Sequence, residues 1–573
     1  MRTHSGHNRQ SEHRFSQTPN VEGERSVLNR SSSLSTTFNE SLLVPVYLDE
    51  ILPGDTITMR TKTFCRLATP LKPFMDNVYL TEHWWFAPMR ILWKHAENFF
   101  GEQDQPDDTT EYTIPILDHN GAPDQAPFNG QWWSQSLGDY LGIPPGVDEP
   151  HPTINALPFR MYHKVFGDWY RDQNLVDRPP VGGDGTPATE RGDGPDDPMI
   201  YAFMGMHGTE LLHRRGKRHD YFCAALPWSQ KGDAVELPLG QNVPVIPDSQ
   251  GYPEFEAPDG EGPIQIEVAT QIAAPGTFSM QGNWTGPDTG LLDVGDRFNW
   301  LNPGLEADMA NALSATVNEL RTAFAIQRLF ERDARGGTRY VEILRSHFHI
   351  TNHPDARLQR AEFISGSETR IHVNPVASTF NDASAEEFLG DLGAYAVGHH
   401  SGRGWSHSFV EHGYLMCIVS VRADQTYQQG LHKLWTRQDK LDFYWPALAH
   451  LGEQPIINRE LFLTGVGSGS DGEDEDVFGY IPRYDEYRYK PSQLTGLMRS
   501  NVSAGNSSLD VWNLSWDFDN RPYLDDTFIN DRSALDRAVA VQDEPRFLFN
   551  AFFECRHARV MPVHGTPGYI DHF

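Results

Sequence analysis

Four arginines, Arg332, Arg335, Arg339 and Arg345, crowd the pair Gly336-Gly337 in the stretch ERDARGGTRYVEILRSHF. Guanidiniums beside a glycine turn are suited to gripping phosphate. A P-loop, however, needs G-x-x-x-x-G-K-[ST] after a strand. This stretch has neither that spacing nor the lysine. Leu313, Val317, Leu320 and Phe324, at i, i+4, i+7 and i+11, place an amphipathic helix over about 306–331 in front of it. Gly336 and Gly337 then read as the helix-end turn, where positive φ is wanted. Arg332 and Arg335 read as cations facing the last carbonyls, worth about 0.3–1 kcal/mol each. Contact of Arg332, Arg335 and Arg339 with nucleic-acid phosphate stays open as the second reading.

The other clusters carry less. His399, His400, His407 and His412 fall in a Gly/Ser-rich turn region, without helical pair spacing and without a cysteine or carboxylate to complete a zinc set. They read as loop and interface histidines. Asp471, Glu473, Asp474, Glu475 and Asp476 offer hard oxygen ligands but not in EF-hand order, which leaves a solvated acidic loop. No G-x-S-x-G elbow occurs. Carboxylates abound, and Trp84-Trp85 and Trp132-Trp133 could stack on sugars, although large aromatics are more often core or interface anchors. A β-sandwich carbohydrate-active enzyme or binding module is therefore the alternative function. No catalytic residue, metal site or cofactor is assigned.

The elements around these residues are mostly strands. After the Pro53-Gly54-Asp55 turn, Ile57, Met59, Thr61, Thr63 and Cys65 share one parity, as a half-buried strand requires. NVYLTEHWWFAP, over 77–88, reads as an aromatic-rich strand, and 413–424 as a near-continuous apolar one. Met89 to Phe100 has helical spacing with Gly101 as its stop, and 163–176 reads as a helix or strand–helix piece. Residues 178–198 are loop by composition, and about 240–298 is a second long irregular region. Residues 1–35 form a polar arm, extended or docked onto something else.

Composition agrees. With 38% hydrophobic residues, 49 Gly and 40 Pro in 573 residues, short strands joined by elaborate loops fit better than a helical bundle. A net charge of -31 argues against a general nucleic-acid binder, while leaving room for one local basic patch. Cys65, Cys223, Cys417 and Cys555 are far apart among apolar neighbours and read as buried small hydrophobes. The N-terminal stretch has no apolar h-region, and no run nears the ~20 apolar residues of a membrane span. A protein made and used without membrane insertion is expected.

Longer blocks say more. LLVPVYLDEILPGDT, FCRLATPLKPFMDNVYL, HDYFCAALPWSQKG, FAIQRLFERDARGGTRYVEILRSHF, PDARLQRAEF, VFGYIPRYDEYRYKPS and HARVMPVHGTPGYIDHF occur in order over about 38–573. In these blocks the chain closely resembles the major capsid protein of gokushovirus-type microviruses, small icosahedral phages with circular single-stranded DNA. The resemblance implies a mainly β fold, an eight-stranded antiparallel jelly roll with long loop and helix-containing insertions. It implies one such domain over 38–573, after an N-terminal arm over 1–37. It further implies a non-enzymatic subunit, sixty copies of which form a T=1 shell.

An insertion at about 240–298, along which Gly240, Pro244, Pro253, Ala274-Pro275 and Trp284 lie, is implied to project at the threefold axis towards the host. The implied partners are other copies of the chain, packaged single-stranded DNA, a small basic DNA-binding protein, a minor pilot protein and a host cell-surface receptor. The implied location is the virion, assembled in the host bacterial cytoplasm. The acidic balance fits a genome neutralised mainly by that basic protein and by cations. The arm matches the family pattern only in pieces, and the projecting insertion shows little similarity.

Overall fold

The computed structural model describes residues 25–102, 111–117, 134–145, 154–177, 212–232, 359–379, 390–402, 404–465, 473–502, 507–532, 534–541 and 544–563. It also describes the backbone of 245–247, 254–256, 263–265, 299–302 and 305–307, and the helix over 317–336. The chain divides into two compact units, Gln230–Gly336 and the remainder.

The larger unit contains β1 (Ser26–Asn29), β2 (Ser32–Phe38), β3 (Val44–Ile51), β4 (Thr56–Leu67) and β5 (Val78–Pro88), then β6 (Glu362–Ala377), β7 (Leu392–Ser401), β8 (Trp405–Ser408), β9 (Gly413–Ala423) and β10 (Phe547–Arg559). Eight of them hydrogen-bond in the order β1-β10-β4-β7-β6-β5-β9-β3, with β2 added to β10 and β8 to β4. Every pairing among them is antiparallel. β6 belongs to two layers, because 362–371 pairs with β5 and 372–377 pairs with β7. The path thus curls into two facing sheets, the expected eight-stranded jelly roll.

Burial follows the pleat. On β4 the odd-numbered side chains are inside, with Ile57, Met59 and Cys65 fully buried, and the even-numbered ones from Thr58 to Arg66 are outside. β9 is buried along almost its whole length, so both of its faces are covered. Neighbouring residues on β5 must point to opposite faces. Trp84 enters the space between the sheets, against Tyr47, Trp405 and Phe553. Trp85 turns to the other face, against Trp169, Tyr170 and Phe363. That face is covered by α3 (Leu157–Val165), which runs on into a π-helical turn, Phe166–Tyr170. The two tryptophans are 1% and 3% exposed, so of the two readings of this pair the core anchor holds and sugar stacking does not. All four cysteines are buried and free, as expected.

Several local expectations shift. The helix expected over 89–100 is two turns, α1 (Met89–Leu92) and α2 (Ala96–Phe99), separated by the extended and fully buried Trp93. Placing that indole in the core breaks the helical run. His399 and His400 lie on β7 and His407 on β8, so only His412 of the expected loop histidines is in a connection. The second half of the expected arm is not free: Ser26 to Thr37, with Phe38 just beyond the arm, supply β1 and β2, both paired with the last strand.

A polar network ties those chain ends to the sheet. Arg30 grips Asp49 with two hydrogen bonds of 2.6 and 2.9 Å. The same guanidinium lies 3.1 Å from His557 Nδ1. Arginine only donates, so Nδ1 accepts and the imidazole proton sits on Nε2, 2.9 Å from Asp55 Oδ2. Arg559 Nε and Nη2 also donate to Asp55, at 3.1 and 2.7 Å, and the Leu52 N–H adds a bond of 2.8 Å. Burial alone raises the Asp55 pKa. The hydrogen bonds from Arg559, Leu52 and His557 overcome that and hold it below the usual carboxylate value.

In the smaller unit, Glu254–Glu256 lies between Pro263–Gln265 and Asn299–Asn302, and Val245–Pro247 pairs with Leu305–Ala307. The region expected to be irregular therefore holds short strands. The helix, α4, spans Val317–Gly336, and Leu305–Ala307, partly inside the range expected to be helical, is engaged as a strand; the residues between them lie outside the described ones. Gly336 is its last residue, and Gly337 lies outside the described residues. So do Arg339, Arg345, Trp132, Trp133, Gly240, Pro244, Pro253, Ala274, Pro275, Trp284 and the loop over 178–198.

Candidate assembly surface

A second, smaller core forms around Phe222, Ile456, Leu461, Phe478, Ile481 and Phe528. Its frame is the antiparallel pair Glu453–Ile457 and Val477–Pro482. Against this frame runs a segment of three short 3-10 turns, Lys433–Trp435, Lys440–Asp442 and Pro446–Leu448. Side chains replace regular pairing in holding its backbone. Asp442 accepts from the N–H groups of Gln438 and Asp439 at 2.8 and 2.9 Å, and the Trp445 indole donates to the Lys440 carbonyl at 2.9 Å. Tyr484 donates its hydroxyl to the Phe443 carbonyl at 3.2 Å. Beneath these, Arg437 donates to one oxygen of buried Glu486 at 3.1 Å, while Gln454 donates to the other at 2.6 Å. The Arg437 guanidinium also stacks 4.2 Å from the Tyr487 ring centre.

This scaffold displays apolar side chains to solvent. Leu434, Trp435, Leu441, Phe443, Tyr444, Trp445 and Leu451 are all at least 41% exposed, and Trp435 is 74% exposed. Together they form several hundred Å² of apolar surface, at the scale that marks a protein–protein contact. Rigid aromatics framed by charged residues are the composition of such contacts. On α4, Leu320, Phe324, Ile326 and Leu329 are likewise exposed. Of the stripe read in the sequence, Leu320 and Phe324 lie on α4 but are not buried in the isolated chain, and Leu313 lies outside the described residues.

A cavity of about 320 Å³ beside the segment is lined by Tyr221, Tyr427, Trp435, Glu460, Glu486 and Tyr489. Its carboxylates are already engaged. Glu460 accepts from the Tyr221 hydroxyl at 3.1 Å and from the Ile457 N–H at 3.2 Å, and Glu486 is held as above. Burial raises the Glu460 pKa, outweighing the nearby Lys433 ammonium. Neither carboxylate is a free acid–base group of the kind a glycosidase pair requires.

The remaining sequence-derived residues are dispersed. Arg332 and Arg335 are exposed in the last turns of α4, with buried Ala334 between them. The acidic run is only partly a solvated loop, because Asp474 is 5% exposed. Asp474 accepts from Thr464 N–H, Thr464 Oγ and Gly465 N–H at 2.7–2.9 Å. Burial alone raises its pKa, but these bonds bring it below the usual value. Arg459 pairs with Glu475 at 3.0 Å, and Arg521 pairs with Asp476. No group of three or more potential metal ligands comes together among the described residues.

A family described as "Capsid protein (F protein)" matches residues 16–569. The chain belongs to this phage capsid protein family. The "Capsid protein VP1" of Bdellovibrio phage phiMH2K is 40% identical over 585 residues, covering 100% of both chains. The proteins of the same description from Chlamydia phage 1 and Spiroplasma virus 4 are 35% and 30% identical, over 97% and 95% of both chains. The F-type capsid protein described here is therefore a structural, non-enzymatic subunit of a microvirus virion, and it assembles with other copies of itself. The carbohydrate-active alternative gains no support. Sequence reading missed the exposed 433–451 segment, although its density of Trp, Phe, Tyr and Leu without period 2 or 3.6 was a usable signal.

Proposed function

We propose that sixty copies of this capsid subunit close into a T=1 icosahedral shell around a circular single-stranded DNA genome, assembling in the cytoplasm of a bacterial host. The rigid apolar segment over 433–451 carries this reading, because its exposed aromatics have a use only when a neighbouring copy covers them. Exposed Leu320 and Phe324, neighbours on one face of α4, are a second contact of the same kind. A small basic protein and cations supply most of the genome's neutralisation, consistent with a subunit charge of -31. A minor pilot protein completes the particle. The insertion over about 240–298, with Gly240, Pro244, Pro253, Ala274-Pro275 and Trp284, projects at the threefold axis and meets a host cell-surface receptor.

In this reading Arg332, Arg335 and Arg339 reach packaged DNA, and Gly336-Gly337 turns the chain at the end of α4. Gly337→Val is expected to lower particle yield more than it alters DNA content per particle; a normal yield refutes the turn argument. Electron microscopy of the purified full chain tests the whole reading. Uniform spherical particles are expected, and monomers under every assembly condition overturn it. The purified subunit alone is expected to form no stable DNA complex at physiological salt.

A further inference from the structure

The face of β4 that points away from the core carries Arg60, Lys62, Phe64 and Arg66, one at every second residue. Register extends this face across the sheet. On β10, Phe552 stands opposite Lys62, Asn550 opposite Phe64 and Arg556 opposite Thr58. On β7, His399 stands opposite Phe64, and exposed Tyr395 shares its parity. Arg370 and His372 are exposed at the same parity on β6, which pairs with β7 from His372 onward. Phe64, Tyr395 and Phe552 are 45%, 46% and 41% exposed.

In a chain with 78 acidic and 47 basic residues, this face gathers Arg60, Lys62, Arg66, Arg370 and Arg556 against two carboxylates, Glu554, which lies 3.8 Å from Lys62, and Glu368, which shares the parity of Arg370 and is already paired with Arg218. Arg60, Arg66, Arg370 and Arg556 have no ion-pair partner among the described residues. Like charges on one sheet face repel, and exposed rings there gain nothing from the core. β4 is flanked by β10 on one side and by β7 and β8 on the other, so no strand edge is being protected here. Cations interleaved with aromatics about 7 Å apart along a strand suit a single-stranded nucleic acid, whose phosphates meet the cations while its bases stack on the rings.

We propose that this outer face of the β10–β4–β7 sheet receives the packaged single-stranded DNA, with phosphates on Arg60, Lys62, Arg66, Arg370 and Arg556 and bases on Phe64, Tyr395 and Phe552. The proposal rests on the genome-enclosing reading above and moves the main contact from the end of α4 to the sheet.

DNA-filled particles of the full chain, irradiated with ultraviolet light and digested, are expected to yield nucleotide-bearing peptides containing Phe64, Tyr395 or Phe552. Cross-links confined to the end of α4 overturn the sheet assignment and leave the genome reading standing. Wild-type particles that never contain DNA sink both. In parallel, binding of a single-stranded oligodeoxynucleotide to the purified subunit at low salt is measured against salt concentration. R60Q/K62Q/R66Q is expected to lower the logarithmic salt slope by about 2, since each lost phosphate contact on a single strand removes about 0.7. An unchanged slope overturns the proposal. Should the triple variant instead keep wild-type unfolding but fail to assemble without DNA, the face is a contact between copies and the DNA assignment falls.

Discussion

Trp435→Ser separates assembly from folding. The indole is 74% exposed in the isolated chain, so its removal takes almost nothing from the subunit's own core. If a neighbouring copy covers it, roughly three-quarters of a ~250 Å² side chain leaves water on assembly. At about 25 cal/mol per Å² that is about 4–5 kcal/mol per contact, in the range of an interface hot spot. Since about 1.4 kcal/mol is tenfold in an equilibrium, the concentration needed for assembly should rise by about three orders of magnitude. The measurement is particle yield against subunit concentration, by light scattering and electron microscopy, with thermal unfolding of the unassembled subunit as the control. The expected result is an unchanged unfolding temperature with no particles at the wild-type threshold. Particles forming at the wild-type concentration would mean that nothing covers Trp435, and the segment over 433–451 would lose its role.

Other perturbations test the subunit itself. Asp55→Asn should cost about 3 kcal/mol at pH 7, because it strips a buried carboxylate from Arg559 and His557. The Asp55 pKa is lowered in the fold, so its stabilisation is full above the unfolded value near 3.8 and is lost as pH falls through the folded value. In denaturant unfolding the gap between the two proteins should therefore narrow in acid, and a gap that is constant with pH refutes the assignment. Lys217 is 6% exposed, its Nζ lies 3.5 Å from the Trp516 ring centre and 3.7 Å from that of Phe528, and burial lowers its pKa to about 8. The unfolded chain then binds more protons between pH 8 and 10.5, so wild-type stability should rise over that window. Lys217→Met should be more stable at pH 7, by up to about 3 kcal/mol, with the advantage gone above pH 10.5. A less stable Lys217→Met at pH 7 would show that the rings hold the ammonium better than water does. Gly430→Ala would bring a Cβ to within 2.1 Å of the Glu460 carbonyl, a backbone atom that cannot move aside cheaply. It should cost about 1–3 kcal/mol in unfolding and reduce particle yield, and wild-type behaviour in both would refute the close packing.

The parts of this molecule that were legible in its sequence are those whose signal is local. The alternation on β4 reports one buried face, and the unbroken apolar run of β9 reports two. The doublet Trp84-Trp85 left core and sugar-stacking readings side by side because composition does not reveal that a helical layer covers the second face. The break at Trp93, which puts an indole into the core, comes from tertiary packing that helical spacing does not report. The jelly roll itself came from resemblance, since the pairing of β6 with both β5 and β7 leaves no trace in periodicity. The cationic face was hidden for a different reason. Its residues come from β4, β6, β7 and β10, so only the β4 part, Arg60, Lys62 and Arg66, stands together in the sequence, and the net charge points the other way.

The pairing of β1 and β2 with β10 sets a timetable for the newborn chain. Phe38 aligns with Phe547, roughly 500 residues later. At about 5–20 residues per second, the first strands wait about 25–100 seconds on the ribosome before their partner exists. Until then one edge of β4 is also unpaired, and Asp55 lacks both His557 and Arg559. A chain cut short before Phe547 cannot finish this sheet, whatever else it folds. The last strand thus acts as a proof of completeness, keeping prematurely terminated subunits from presenting a finished sheet to a growing shell.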